Sequence, residues 1–219
     1  MVKGTNEMTS LSTLARAARL GSTRKRGVTL IEAVLYISIA LALIVGGLVF
    51  FQQASLAQRT NSAVRNISAM ASETRGLYQG QASFKDFSHT ALVNAGAVPT
   101  SLVTNAATGE MKNEWGGVIT AGTNAVALAA PSPLAINEGF WVVYPGLPTA
   151  ACVRLTSTDS LGSGRVGSGI RSISFKAPSG SFSTEVLPAS DGLSPSAVAG
   201  STLCGQTGGI VDVRFMFTR

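Results

Sequence analysis

Glu32 is the residue in this sequence that most clearly needs a charged partner. It is the one charged residue in a run of 24 residues, from Val28 to Phe51, that is otherwise mostly apolar. A carboxylate within a membrane segment costs roughly 2.5 to 3.5 kcal/mol on insertion scales, so it usually pairs with a cation. If the chain were cut after Gly27, the new amine of Val28 could pair with Glu32 of a neighbouring copy. Such a cut between Gly27 and Val28 would supply the cation that Glu32 lacks.

The apolar run from Val28 to Phe51 is long enough to cross a bilayer, which takes about 20 residues. A secretory signal would have a shorter apolar core, followed by a cleavage site with small residues. Arg24, Lys25 and Arg26 stand directly before the run, and positive residues favour the cytoplasmic side. Residues 1–27 are therefore interpreted as a removable leader. A plain membrane anchor is the alternative, but it leaves Glu32 unexplained.

The formal net charge of +6 is concentrated in the leader. Residues 1–27 carry six basic side chains and one acidic side chain, a net charge of +5, which leaves +1 for the rest of the chain. A nearly neutral mature chain lacks the basic stripe of a nucleic-acid-binding protein. We predict no nucleic-acid partner.

Cys152 and Cys204 are the two cysteines of the chain, and both follow the apolar run. If the leader is cytoplasmic, they lie on the oxidising side of the membrane, where disulfides persist. A bridge that closes about 50 residues stabilises a fold by roughly 4 kcal/mol on the loop-entropy estimate. Two free thiols are the alternative. A metal site is not expected, because the single histidine, His89, and two cysteines do not supply the usual ligand set.

Signatures of catalysis are weak along the chain. The sequence holds no H-E-x-x-H and no G-x-S-x-G motif. Gly162 to Gly167 matches G-x-G-x-x-G, but Ile170 to Lys176 follows it and has the pattern of a strand. A dinucleotide site needs a helix there, so the segment is interpreted as a flexible loop. We predict no catalytic residue and no cofactor.

A long helix over residues 28–80 must position Glu32. No proline occurs between Val28 and Gln79, and helix formers dominate. The first part, residues 28–51, is apolar on all sides, whereas the second part is amphipathic. The residues of its apolar stripe are Leu56, Thr60, Ala63, Ile67, Met70, Thr74 and Leu77. Gly46 and Gly47 interrupt the apolar part, either for close helix packing or as a place where the helix can unwind.

The remaining residues, 81–219, are expected to form a globular head. Ser83 to Asp86 has the pattern of a capping box that opens a short helix to about Asn94, before Pro99. The clearest strands are predicted over Phe140–Tyr144, Cys152–Leu155, Ile170–Lys176 and Ile210–Phe217. A long helix followed by strands indicates an α+β fold, with the helix packed on an antiparallel sheet.

With the junction, the helix and the late cysteine pair in view, the chain resembles type IV pilins of the b subclass. Short segments are similar to bundle-forming pilins and to thin-pilus pilins of conjugative plasmids. They are Gly76–Gln81, Asn113–Gly117 and Ala150–Val153, and they occur in the same order along the chain.

The resemblance implies specific roles for the residues singled out above. Gly27 would precede the cut made by a prepilin peptidase, and Val28 would become the N-methylated terminus. Glu32 would pair with Val28 of the adjacent subunit, which selects register. Cys152 and Cys204 would bound a disulfide-closed C-terminal region.

The resemblance also implies a function and partners. The chain would be the major subunit of a type IVb pilus, held in the inner membrane and then assembled by a platform there into an extracellular fibre. That fibre would serve adhesion, aggregation or mating contact on a Gram-negative bacterium. A minor pilin or a type II secretion pseudopilin is the alternative, and a membrane-anchored periplasmic binding protein or enzyme is a more distant one.

Overall fold

The computed structural model describes residues 29–124, 134–159, 161, 163–177, 180–183, 186, 192–200, 203–206 and 208–219. The chain divides into two compact units, of which the first ends at Gly47 and the second is Leu48–Arg219. The second unit contains the sheet and the main core. The predicted division of the mature chain at residues 80 and 81 remains a prediction, since the second unit includes much of the long helix.

The long helix is confirmed as α1, Leu30–Leu77. In the second unit it buries one stripe, and the fully or nearly fully buried members are Thr60, Ala63, Ile67, Met70, Ala71 and Thr74. The amphipathic pattern predicted these residues except Ala71, which it missed. The pattern was wrong at Leu77, whose side chain is 47% exposed. The helix ends there because Gly76 and Gly80 flank the last turn and disfavour continuation.

Six antiparallel strands form one sheet in the order β1-β2-β3-β4-β6-β5. Their bounds are Val103–Asn105 for β1, Glu110–Lys112 for β2, Val118–Thr123 for β3, Phe140–Pro148 for β4, Ile170–Lys176 for β5 and Ile210–Phe217 for β6. The predicted bounds of β5 and β6 are confirmed, and β4 extends past the predicted Tyr144. A long helix packed on an antiparallel sheet confirms the α+β class.

Every second side chain along β6 points into the core and forms its centre. Val211, Val213 and Phe215 are fully buried, and they belong to the same apolar cluster as Ile67 and Met70 of α1. Burying such side chains contributes about 1.5 to 3 kcal/mol each. The helix stripe and the inner face of the sheet therefore hold each other in place.

The predicted capping box at Ser83 was wrong, because the second helix, α2, is His89–Asn94. The Ser88 side chain accepts a hydrogen bond of 3.1 Å from the Ala91 amide, so Ser88 is the N-cap. Asp86 has a φ of 62°, which no helix can run through. The predicted end at Asn94 is confirmed.

The predicted strand from Cys152 to Leu155 was also wrong. These residues lie in α3, Thr149–Thr156, which begins directly after β4. The helix buries Ala151, Cys152 and Leu155, a spacing that fits one side of a helix. A short apolar run cannot by itself distinguish a helix from a strand. A fourth helix, α4, covers Pro195–Val198.

Candidate functional site

The apolar part of α1 is the candidate site with the largest exposed surface. Fifteen large apolar side chains between Leu30 and Phe51 are at least half exposed. Of the part of the chain that the structure describes, α1 is the one helix long and apolar enough to cross a membrane. A patch of this size on a soluble chain marks a membrane or protein interaction surface.

Glu32 lies near the start of this surface, in the first turn of α1. Its amide donates to Thr29 Oγ1 at 3.3 Å, which satisfies one of the free N–H groups at the helix start. The Tyr36 hydroxyl, one turn later, donates to Glu32 Oε1 at 3.4 Å. A carboxylate at a helix N-terminus is favoured by the helix dipole. Glu32 therefore places a carboxyl group on an otherwise apolar helix surface.

The other predicted site residues are the junction of Gly27 and Val28 and the glycine pair Gly46 and Gly47. Gly27 and Val28 lie outside the described residues. Gly46 and Gly47 lie within the continuous helix α1, and a Cβ atom at either position would meet no other heavy atom within 4 Å. The division between the two compact units falls directly after Gly47.

The disulfide between Cys152 and Cys204 is present, with a Cα–Cα distance of 5.7 Å. Cys152 lies on α3 and Cys204 follows α4, and both are fully buried. The Thr156 hydroxyl lies 3.6 Å from Cys204 Sγ and bonds the Cys152 carbonyl at 2.9 Å. The bridge joins α3 to the turn after α4 and closes a segment separated by 52 residues.

The loop between β2 and β3 brings Glu114 against the helix. Asn113 is buried, and its side-chain oxygen Oδ1 accepts hydrogen bonds from the backbone amides of Trp115 and Gly117 at 3.0 and 2.9 Å. Its side-chain nitrogen Nδ2 donates to the Pro145 carbonyl, which ties the loop to β4. The sequence marked this Asn113–Gly117 segment by resemblance but gave it no role, and only the fold brings Glu114 to Asn66 of α1.

The described part of the G-x-G-x-x-G segment, residues 163–167, also contacts α1. Val166 is fully buried, and Arg165 donates to the Asn61 side chain of α1 at 3.2 Å. Gly164 and Gly167 exchange backbone hydrogen bonds of 2.9 and 3.1 Å. The strand β5 follows this loop, as the sequence predicted. The described part of the loop therefore contacts α1 and does not lead into a helix of its own.

The family model described as PilS N terminal matches residues 57–180. The major structural subunit of bundle-forming pilus from Escherichia coli O111:H- is 26% identical over 185 residues, 84% of this chain and 89% of the relative. The protein of the same description from Escherichia coli O127:H6 is 28% identical over 148 residues, 67% of this chain and 70% of the relative.

One solved structure that resembles the chain is TcpA, a type IV pilin from Vibrio cholerae El Tor biotype. It superposes with a TM-score of 0.47 at 18% sequence identity. The match covers 74% of this chain and 99% of that chain.

Proposed function

The chain belongs to the PilS family of type IV pilins, and we propose that it is the major structural subunit of a type IVb pilus. The pilus would be an extracellular fibre built from many copies of this one chain. The role is structural, without a catalytic residue or a cofactor. The two curated relatives from Escherichia coli support a fibre on a Gram-negative bacterium.

The exposed apolar helix is the observation that carries the proposal. Leu30 is 86% exposed and Phe51 is 70% exposed, at the two ends of an otherwise apolar surface. Removing apolar surface from water gains roughly 25 cal/mol per Å². The membrane covers this surface before assembly, and the same surfaces of other copies cover it in the fibre.

Glu32 controls how copies join within that apolar bundle. A buried carboxylate without a partner is strongly destabilising, and a buried pair roughly breaks even with apolar packing. The amine of a processed Val28 on the adjacent copy supplies the missing cation. A subunit in the wrong register would bury both charges unpaired, so Glu32 selects register more than it adds stability.

Processing at Gly27 creates that amine. A prepilin peptidase in the inner membrane would remove residues 1–27 and leave Val28 as the N-methylated terminus. A platform in the same membrane would then move the subunit into the fibre. The basic residues Arg24, Lys25 and Arg26 would keep the leader on the cytoplasmic side until the cut.

Mass spectrometry of protein sheared from cells tests this function. The expected mass begins at Val28 and carries one added methyl group, and electron microscopy of the same sample should show fibres. A Gly27→Leu chain should retain its leader, remain in the membrane and be absent from the sheared fraction. Full-length protein beginning at Met1 in the wild-type fibre would contradict the proposal.

A further inference from the structure

Arg75 is a half-buried cation whose direct partners are neutral. Its Nε donates to the Thr218 carbonyl at 2.8 Å, and its Nη2 donates to the Ser168 carbonyl at 2.9 Å. The guanidinium lies 5.6 Å from the centroid of the Phe217 ring. Burial lowers the pKa of Arg75. The surroundings thus disfavour its charge, and an added anion would compensate.

Gly169 makes room for this guanidinium. Its φ of 76° lies in the left-handed region, and a Cβ there would lie 2.5 Å from Arg75 Nη2. A side chain at this position would therefore displace Arg75. The end of α1 and the turn before β5 together fix the guanidinium.

A cavity of about 370 Å³ opens beside Arg75. Its lining consists of Arg75, Gly76, Tyr78, Gln79, Phe84 and Arg219. Two guanidinium side chains therefore line it, and none of these lining side chains carries a carboxylate. In the described parts of the chain, ion pairs join Lys112 to Glu110 and Lys176 to Asp212, and neither involves these arginines. Arg219 donates to the Gln81 carbonyl.

The other lining residues suit a ring that carries hydroxyl groups. Phe84 borders the cavity but is fully buried, and the Arg219 guanidinium lies 6.0 Å from its ring centroid. Burial, and then the charge of Asp86, raises the pKa of Tyr78, so its phenol remains a donor. Gln79 adds an amide with donors and an acceptor. The volume is near the lower end of the roughly 300 to 1,000 Å³ of ligand pockets, which fits one monosaccharide.

We propose that this cavity binds a sugar that carries a carboxylate. The carboxylate meets the guanidiniums of Arg75 and Arg219, whose planar forks match it. The hydroxyls of the sugar bond Tyr78 and Gln79. The inference concerns the surface of the second unit and does not rest on the proposed polymerisation.

Titration calorimetry on the full chain in detergent micelles tests the proposal with D-glucuronate. The uncharged D-glucuronamide, acetate and inorganic phosphate are the comparison probes. We expect glucuronate to bind with a Kd of roughly 0.1 to 1 mM, and the amide at least about tenfold more weakly. Arg75→Gln should weaken glucuronate binding by a similar factor.

A pair of glycine variants separates binding from folding. Gly76 lines the cavity and Gly80 does not, and a Cβ at either would meet no heavy atom within 4 Å. Gly76→Leu should therefore fill the cavity and abolish binding, whereas Gly80→Leu should leave it unchanged. Three results would overturn the proposal: no heat with glucuronate up to about 10 mM, equal binding of acetate, phosphate or the amide, or full binding by Gly76→Leu.

Discussion

Asn66 and Glu114 join the long helix to the sheet across 48 positions of sequence, through a hydrogen bond of 2.6 Å from Nδ2 to Oε1. The second carboxyl oxygen, Oε2, is buried and has no hydrogen-bond partner among the described residues. The Tyr144 hydroxyl on β4 is in the same situation, and burial and the charge of Glu114 both raise the pKa of Tyr144. An ionised Glu114 is therefore only partly compensated.

The stability of the head should fall as pH rises because of Glu114. Burial raises the pKa of Glu114 above its ordinary value of 4.5, although its own backbone amide, Asn66 and Arg65 oppose the shift. The folded state thus holds a proton that the unfolded state has lost, so the free energy of unfolding declines between 4.5 and the raised pKa. Thermal unfolding of the full chain in micelles, measured from pH 4 to 8, should show this decline.

Glu114→Gln isolates that contribution, because the amide keeps an acceptor for Asn66 and carries no titratable charge. We expect a flatter pH dependence and an equal or higher melting temperature at pH 7. Glu73→Gln, an exposed carboxylate on α1, is the matched control and should keep the wild-type slope. An unchanged slope in Glu114→Gln would contradict the assignment.

The disulfide should account for a large part of the stability of the head. Closing a segment separated by 52 residues contributes about 4 kcal/mol in the loop-entropy description. The double variant Cys152→Ala, Cys204→Ala should therefore melt well below the wild type in oxidising buffer. With reductant present, the two proteins should melt at nearly the same temperature. A deficit of equal size under both conditions would place the effect in core packing instead.

Sequence pattern located the elements that have a long and regular period. The stripe from Thr60 to Thr74 and the alternation from Val211 to Phe217 each repeat often enough to fix the element and its buried side. The resemblance to type IV pilins, drawn from the junction and the cysteine pair, is likewise confirmed. Glu32 and the two cysteines stand out in the sequence because their residue types are unusual in their surroundings. The disulfide between the cysteines is present, whereas the role of Glu32 stays a prediction.

Short elements were missed because tertiary contacts define them. Strands β1 and β2 have three residues each, and β3 contains Gly122, a weak strand former. A Cβ at Gly122 would lie 2.6 Å from the Trp141 ring, so packing against Trp141 of β4 requires glycine at this position. The sequence also did not predict the hydrogen bond between Asn66 and Glu114 or the cavity beside Arg75, because the residues that form each are far apart in sequence.

Glu32→Ala should stop fibre growth without removing the chain from the membrane. The apolar segment becomes more hydrophobic, so insertion persists, while the proposed partner of the Val28 amine is lost. We expect membrane levels within about twofold of the wild type and fibre yield reduced by more than about tenfold. Immunoblots of membranes and electron microscopy of sheared fibres measure the two quantities.

Ser38→Ala is the control for this variant, since its hydroxyl bonds the Leu35 carbonyl of its own helix at 2.8 Å. It should assemble normally. A wild-type yield of fibres from Glu32→Ala would remove the register argument and leave apolar packing as the whole basis of assembly.

Gly46 and Gly47 should set how far the fibre can stretch. Replacing both by alanine adds helix propensity of about 1 kcal/mol per site, and no heavy atom within 4 Å opposes either methyl group in the single chain. Insertion and the helix itself should therefore be unaffected, whereas unwinding at this point becomes costlier. We expect fibres of normal yield that extend less at a given force in single-fibre pulling experiments.

A collapse in yield would instead favour close packing between helices as the role of the pair, because the methyl groups would then clash only after assembly. Normal yield with an unchanged force–extension curve would contradict both roles.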